Sequence, residues 1–489
     1  MGSNVDHDAT VLQSIPGPSA TQIAGPPSPD RSPSPTEGAA LEHLRSELPR
    51  FVATAPGRLD VMGGIGEYTG ALVLSMPTSR TTSVAVQPRG DRNLVLHLCD
   101  AEGDGESPLT LPLDRVIRAN GSIADAGIGH ELPDAWKRRG ALCVVGSIVE
   151  MLRSGLLPAD TGGYSVAVAS TMTDKECMGC CAAVAAATWT AVRASVGSEA
   201  AWIDGAELCR RVECDWLDVP VGIAGGVCAL MGQPGAVTQL HCDASKLGDP
   251  VALPPQAMII GVDSGAAEDP GASRYTRVRT EAAMGKALIQ RIVTHEAIAH
   301  DPFNGRLAHV TVSDFVERFR DRLPTRLKGR DFLDRFGQTD DPLTTIDPGL
   351  VYKIRSRVEH HVYENARSHQ FVQCLLRAAR LEDEQSLISA GELMNASHWS
   401  YSQRCGLGTL PTDTLVKLIR GRGVEAGIYG ARITGRGCGG SISVLLASAD
   451  KAMDALQAAV KEYAALGKHQ PALLEGSTAG ALISGASRA

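Results

Sequence analysis

Polar and apolar residues alternate along Ser83–Gln87 and Leu94–Leu98, the two-residue period of half-buried strands. Arg58 and Asp60 alternate with Leu59 and Val61, which places a cation and a carboxylate on one face of a strand. A bend containing Gly63, Gly64 and Gly66 follows, and the apolar run Ala71–Met76 reads as a return strand. Upstream, a short helix over Leu41–Leu48 is expected to lead into a strand over Arg50–Thr54. Downstream, Gly140–Leu157 reads as a helix and Gly163–Ala169 as a strand. The alanine-rich stretch from about Gly179 reads as a helix, alanine having the best helix propensity. Ala201–Trp216 reads as another helix, and strand Met258–Val262 leads into one that carries Tyr275 and Arg279. Strands and helices mix without the regular alternation of a doubly wound sheet, so the fold class is α+β.

Composition narrows the picture. The 489 residues suffice for two domains and a tail. Residues 1–47, rich in Pro, Ser, Gly and Ala and including PSPDRSPSP, bury too little apolar surface to offset ordering entropy and are expected to be a disordered tail. Segments 48–250 and 255–489 are the two expected domains. A net charge of −8 without a basic stripe argues against nucleic acid and anionic membrane surfaces as partners. No run of 18 or more apolar residues exists, and the first residues lack the basic start and apolar core of a secretory signal. The 12 cysteines include Cys177-x-x-Cys180 but no second pair at metal-ligand spacing, so reduced thiols and a cytoplasmic location are expected.

Four stretches carry candidate chemistry. Ala55–Pro77, APGRLDVMGGIGEYTGALVLSMP, sets Arg58, Asp60 and Glu67 around a glycine-rich bend. It is either a floor for a small polyhydroxyl ligand or a plain hairpin with a loose turn. In Ser170–Ser195 a polar loop runs into the alanine-rich helix; read alone, this is a buried helix. The third stretch joins a helix carrying Glu213 to DVPVGIAGGVCALMG, Asp218–Gly232. YGARITGRGCGGSISVLLAS, Tyr429–Ser448, is a glycine-dense turn between two strands.

Together these stretches resemble the GHMP small-molecule kinases, and the first of them is closer to the L-arabinokinase branch than to galactokinase itself. The resemblance implies a two-lobed α+β GHMP kinase fold: a ribosomal S5 domain 2-like lobe over 48–250 and a ferredoxin-like lobe over 255–489. It implies transfer of phosphate from ATP, with Mg²⁺, to the 1-hydroxyl of a sugar. Asp60, Glu67, Tyr68 and Tyr275 would hydrogen-bond the sugar, with Arg58 near the anomeric oxygen and the transferring phosphate. The ATP phosphates would lie over Lys175, Gly179, Cys180, Cys181 and Ala182 and over Gly435, Gly437, Gly439 and Gly440. Cys181 and Glu213 fall on the positions that serve the metal. The sequence departs from the family pattern where chemistry is concentrated. Lys175-Glu176-Cys177 replaces a Gly-x-Gly turn, Gly179-Cys180-Cys181 replaces three serines, Arg436 replaces a glycine, and Gly225 stands where an aspartate acts as general base. The alternative implied by those departures is a catalytically impaired pseudokinase that binds sugar or nucleotide as a sensor or partner.

Overall fold

The computed structural model describes residues 33–99, 107–172, 180–266, 273–295, 303–467 and 470–489. Helix α1 (Pro35–Leu41) begins where Ser34 caps the backbone of Glu37, and Glu37 returns a bond to the Ser34 N–H, with Pro35 at the first position. Ala40, Leu41 and Leu44 then pack on Val52, Ala85 and Ala167. Residues 33–47 are therefore docked on the sheet rather than part of a disordered tail. The helix also lies earlier than the expected Leu41–Leu48, because the capping box fixes its start.

Strand β1 (Phe51–Met62) pairs antiparallel with β2 (Leu72–Pro88), from Phe51↔Val86 to Met62↔Leu74. Each is one long strand where the sequence pattern suggested two pieces. Bulges between Pro56 and Arg58 and between Asp60 and Met62 absorb the bend, and a bulge tolerates the missing N–H of Pro56. β3 (Asn93–Cys99), β4 (Leu109–Pro112) and β5 (Tyr164–Ser170) extend the sheet beyond β2, with β3 and β5 parallel. β6 (Ala236–His241) pairs with the other end of β2.

Helices α2 (Arg139–Arg153), α3 (Cys180–Ser195), α4 (Trp202–Arg211) and α5 (Ala224–Met231) cover this sheet in one apolar core. The small side chains of Ala183, Ala185, Ala186 and Ala187 in α3 are all buried, so the helix lies close against β1 and β2. That close seat fixes its N-terminus.

The second lobe is built on β7 (Ala257–Asp263), β8 (Ile428–Ile433), β9 (Ser441–Ala447) and β10 (Ala472–Leu474), all antiparallel in the order β8-β9-β7-β10. Numbered along the chain this order is 2-3-1-4, the ferredoxin-like arrangement. Helices α6 (Ser273–His295), α7 (Arg355–Leu381), α8 (Glu384–Trp399), α9 (Leu410–Arg420) and α10 (Asp450–Ala465) complete the lobe. The α+β class and its two-lobed form are as the resemblance implied. One detail differs: β11 (Ser487–Arg488) pairs with β1, so the chain's last residues return to the first sheet rather than staying in the second lobe.

Polar residues buried in and beside α7 join the lobes. His360 Nδ1 meets Ser400 Oγ at 2.8 Å, and His361 Nε2 meets Tyr68 Oη at 3.1 Å. Burial pushes His361 down to about 3 and His398 to about 4, and drives His360 well below its ordinary value. All three are thus neutral in the fold but free to protonate when unfolded, below about pH 6.5. Stability should be complete above that value and fall as pH drops below it, by up to about 1.4 kcal/mol per pH unit per histidine. Melting temperatures measured from pH 7.5 to 5 should therefore decline steadily on the acid side. A flat profile would contradict this packing.

Candidate active site

The site begins at the end of β1. Gly63, with φ of 86°, turns the chain into a single 3₁₀ segment, Gly64–Thr69, a conformation that glycine adopts without Cβ strain. Asp60 accepts from the N–H of Gly64 (3.2 Å), the N–H of Gly435 (3.0 Å) and Arg432 Nη1 (3.1 Å). Its side chain is fully buried and its oxygens are occupied. Asp60 therefore ties the first bend to the turn between β8 and β9; it does not face the cleft, which corrects its expected place among sugar ligands.

Above this tie a cleft opens between the lobes. Arg58, half-buried on β1, lines it. Burial lowers the guanidinium's pKa, but the carboxylates of Asp60, Glu67 and Glu213 outweigh that and raise it overall. Glu67 also lines the cleft and accepts a 2.7 Å bond from the N–H of Ala224 at the start of α5. Burial raises the Glu67 pKa, against the pull of Arg58. Gly222 lies directly beneath its carboxylate, where any Cβ would overlap it. Tyr275, on α6, closes one side, and its hydroxyl donates to the carbonyl of Pro220 at 3.1 Å.

Tyr68 is oriented otherwise than the resemblance suggested. It bonds His361, lies 5.1 Å from the Arg279 guanidinium and lines a separate cavity with Arg279, Lys286 and Arg306. The Tyr68 and Tyr275 rings meet edge to face at 6.2 Å, so Tyr68 backs Tyr275 from behind.

The first turn of α3 supplies the opposite wall through Cys180, Cys181 and Ala182. Its N–H groups and the helix dipole make this end favourable to anions. Lys175 and Gly179, with their expected phosphate contacts, lie outside the described residues. Hydrogen bonds with Cys143 and Cys180, together with the Arg139 guanidinium, hold the Cys181 thiol below its ordinary pKa. Of the four glycines in the β8–β9 turn, Gly435 lines the cleft beside Arg436. Gly437 backs onto Leu407, Gly440 donates to the Ala266 carbonyl at 2.9 Å, and neither they nor Gly439 line the cleft.

Glu213 sits in a π-helical turn, Val212–Trp216, that follows α4 directly. Burial pushes its pKa up to about 7, and the neighbouring Cys181 side chain adds to this, against Arg436, Arg58 and Arg139. Gly225 is helical, in the first turn of α5. A Cβ there would lie 3.2 Å from Ala182 Cβ and 3.5 Å from Glu213 Oε2. The position expected to carry an aspartate thus faces the cleft next to Glu213. For a Mg²⁺ ion the donor set fits at one place: a single carboxylate with nucleotide phosphates suits this hard cation, whereas the Cys181 thiol is too soft. Glu213 stays a candidate ligand; Cys181 does not.

Sequence reasoning did not find Arg139, Ile65 or Gly222, which also line the cleft. Lys137, Arg138 and Arg139 form a basic run at a helix start, where cations oppose the dipole, and that was the available signal for Arg139.

Two lobes of this topology, meeting over such a cleft, define a GHMP-type kinase fold. The galactose-binding signature of galactokinases matches residues 42–88, and the C-terminal model of the GHMP kinases matches residues 375–465. L-arabinokinase of Arabidopsis thaliana is 29% identical over 483 residues, covering 88% of this chain but 46% of the plant protein. The chain thus spans about half the length of that relative. Galactokinase of Mycobacterium tuberculosis is 26% identical over 428 residues, covering 86% of this chain and 95% of the relative. The crystal structure of Lactococcus lactis galactokinase complexed with galactose superposes with a TM-score of 0.66 at 20% identity, covering 90% of this chain and 95% of that one. The chain is similar to the GHMP kinases, on their galactokinase-like side, and has their fold. Among the described residues no helix is long and apolar enough to cross a membrane.

Proposed function

We propose that this protein transfers the γ-phosphoryl group of ATP to the anomeric hydroxyl of a sugar in the cytoplasm, with L-arabinose the first substrate and galactose the second. The observation that carries the reading is convergence. Arg58 and Glu67 from the first motif, Glu213, the first turn of α3 and Gly435 from the last motif line one cleft, though they come from separate stretches between residues 58 and 435. Glu67 has Oε1 on the N–H of Ala224 and lines the cleft, where a sugar hydroxyl would donate to its carboxylate. Arg58 would orient the attacking oxygen, and the first turn of α3 would hold phosphate oxygens. Glu213 would hold Mg²⁺, which when bound neutralises charge on the transferring group. No side chain at Gly225 removes the hydroxyl proton. General-base help is typically worth about 10²–10⁴-fold, but phosphoryl transfer through a loose transition state depends chiefly on positioning and charge.

Sugar-dependent ADP release, measured over pentoses, hexoses and uronic acids, tests the assignment. Turnover should be highest with L-arabinose. Activity confined to a non-sugar alcohol would move the protein to another branch. A second reading, a binder without turnover, is favoured by the glycine at 225. Under that reading sugar or ATP should raise the melting temperature with ligand concentration while no ADP appears.

A further inference from the structure

Three arginines from three elements face the cleft: Arg58 on β1, Arg139 at the start of α2, and Arg436 in the β8–β9 turn. All three line the same cleft as the Glu213 carboxylate. The cleft lining sets these three guanidinium groups against the carboxylates of Glu67 and Glu213, an excess of positive charge that favours an anionic ligand. Arg139 adds a local cost. It follows Lys137 and Arg138 at a helix N-terminus, where cations oppose the macrodipole, and no side chain caps that end. The wall beside it is the first turn of α3, which itself favours anions.

We infer that Arg139 and Arg436 form a side-chain clamp on the polyphosphate of the nucleotide. The inference rests on the reading of the cleft as an ATP site. The side chains that the first turn of α3 offers to the cleft are the thiols of Cys180 and Cys181, which are weak donors. Two planar guanidinium forks from the flanking elements supply the missing contacts and present paired N–H groups to phosphate. Arg58 stays with the sugar's reacting oxygen, so the three cations divide between acceptor and donor.

The test is titration calorimetry of the full chain with ATP and, separately, with inorganic tripolyphosphate. Wild type is compared with Arg139→Gln, Arg436→Gln and the two lysine replacements. Each glutamine variant should bind both probes roughly tenfold to a hundredfold more weakly, and the salt dependence of binding should become shallower. Lysine, which keeps the charge but not the fork, should fall between. L-arabinose should still raise the melting temperature of each variant as it does for wild type, which also reports folding. If one glutamine variant fails to fold, the other and both lysine variants carry the comparison. Wild-type ATP binding with unchanged affinity in the folded variants would overturn the clamp and leave the kinase reading standing. A wild type that binds neither ATP nor tripolyphosphate would overturn the kinase reading itself.

Discussion

Arg432→Met is expected to destabilise the protein by about 3–5 kcal/mol. Arg432 is fully buried and donates to Asp60 at 3.1 Å, the Val61 carbonyl at 3.0 Å and Ser397 Oγ at 3.0 Å. Its guanidinium also lies 3.8 Å from Glu364 and over the Tyr401 ring. Burial would raise the Glu364 pKa, but Arg367 and Arg432 reverse that and hold it near 2. Methionine fills similar volume but leaves the fully buried Asp60 short of its cation. The carboxylate then keeps only the N–H groups of Gly64 and Gly435. Denaturant unfolding of the single variant, and of Arg432→Met combined with Asp60→Asn, makes the argument specific. The second change should restore part of the loss, because the unpaired charge disappears. A single-variant loss below about 1 kcal/mol would show that the network is not what joins the lobes.

Gly222→Ala is expected to leave folding intact and cut kcat/KM for the sugar by roughly tenfold to a hundredfold. The added methyl group overlaps the Glu67 carboxylate. The obstructing atoms are the far end of a flexible side chain, so Glu67 can rotate away at small cost to stability. Its bond to Ala224 and its place in the cleft are lost in doing so. Steady-state kinetics with sugar varied at saturating ATP, together with a melting curve, separate the two effects. Unaltered kinetics in a folded variant would remove Glu67 from the sugar site.

How much of this was legible in the sequence depended on range. Alternation at 58–61 and the alanine run after Cys180 revealed a strand and a helix, because those patterns are local. Arg58, Glu67, Glu213 and Tyr275 were found by motif, and all line the cleft. Asp60 and Tyr68 were found the same way and face elsewhere. What turns them is Arg432 and His361, partners about 370 and 290 residues distant, and no local pattern reports such partners. Strand continuity across Pro77 was hidden for the same reason: β1, β5 and β6 hold β2 extended, not its own residues. The packed helix Pro35–Leu41 was missed because its low-complexity surroundings masked a complete capping box.

The central claim is that a phosphoryl group reaches a sugar oxygen in this cleft. Phosphorus NMR of the protein with ATP, Mg²⁺ and L-arabinose tests it most directly, run beside the Glu213→Gln variant. A sugar-dependent phosphomonoester signal that grows with ADP in wild type, and is reduced by roughly 10²-fold or more in the variant, is the expected result. ATP breakdown that yields only inorganic phosphate, or a phosphomonoester formed equally well without the Glu213 carboxylate, would contradict it.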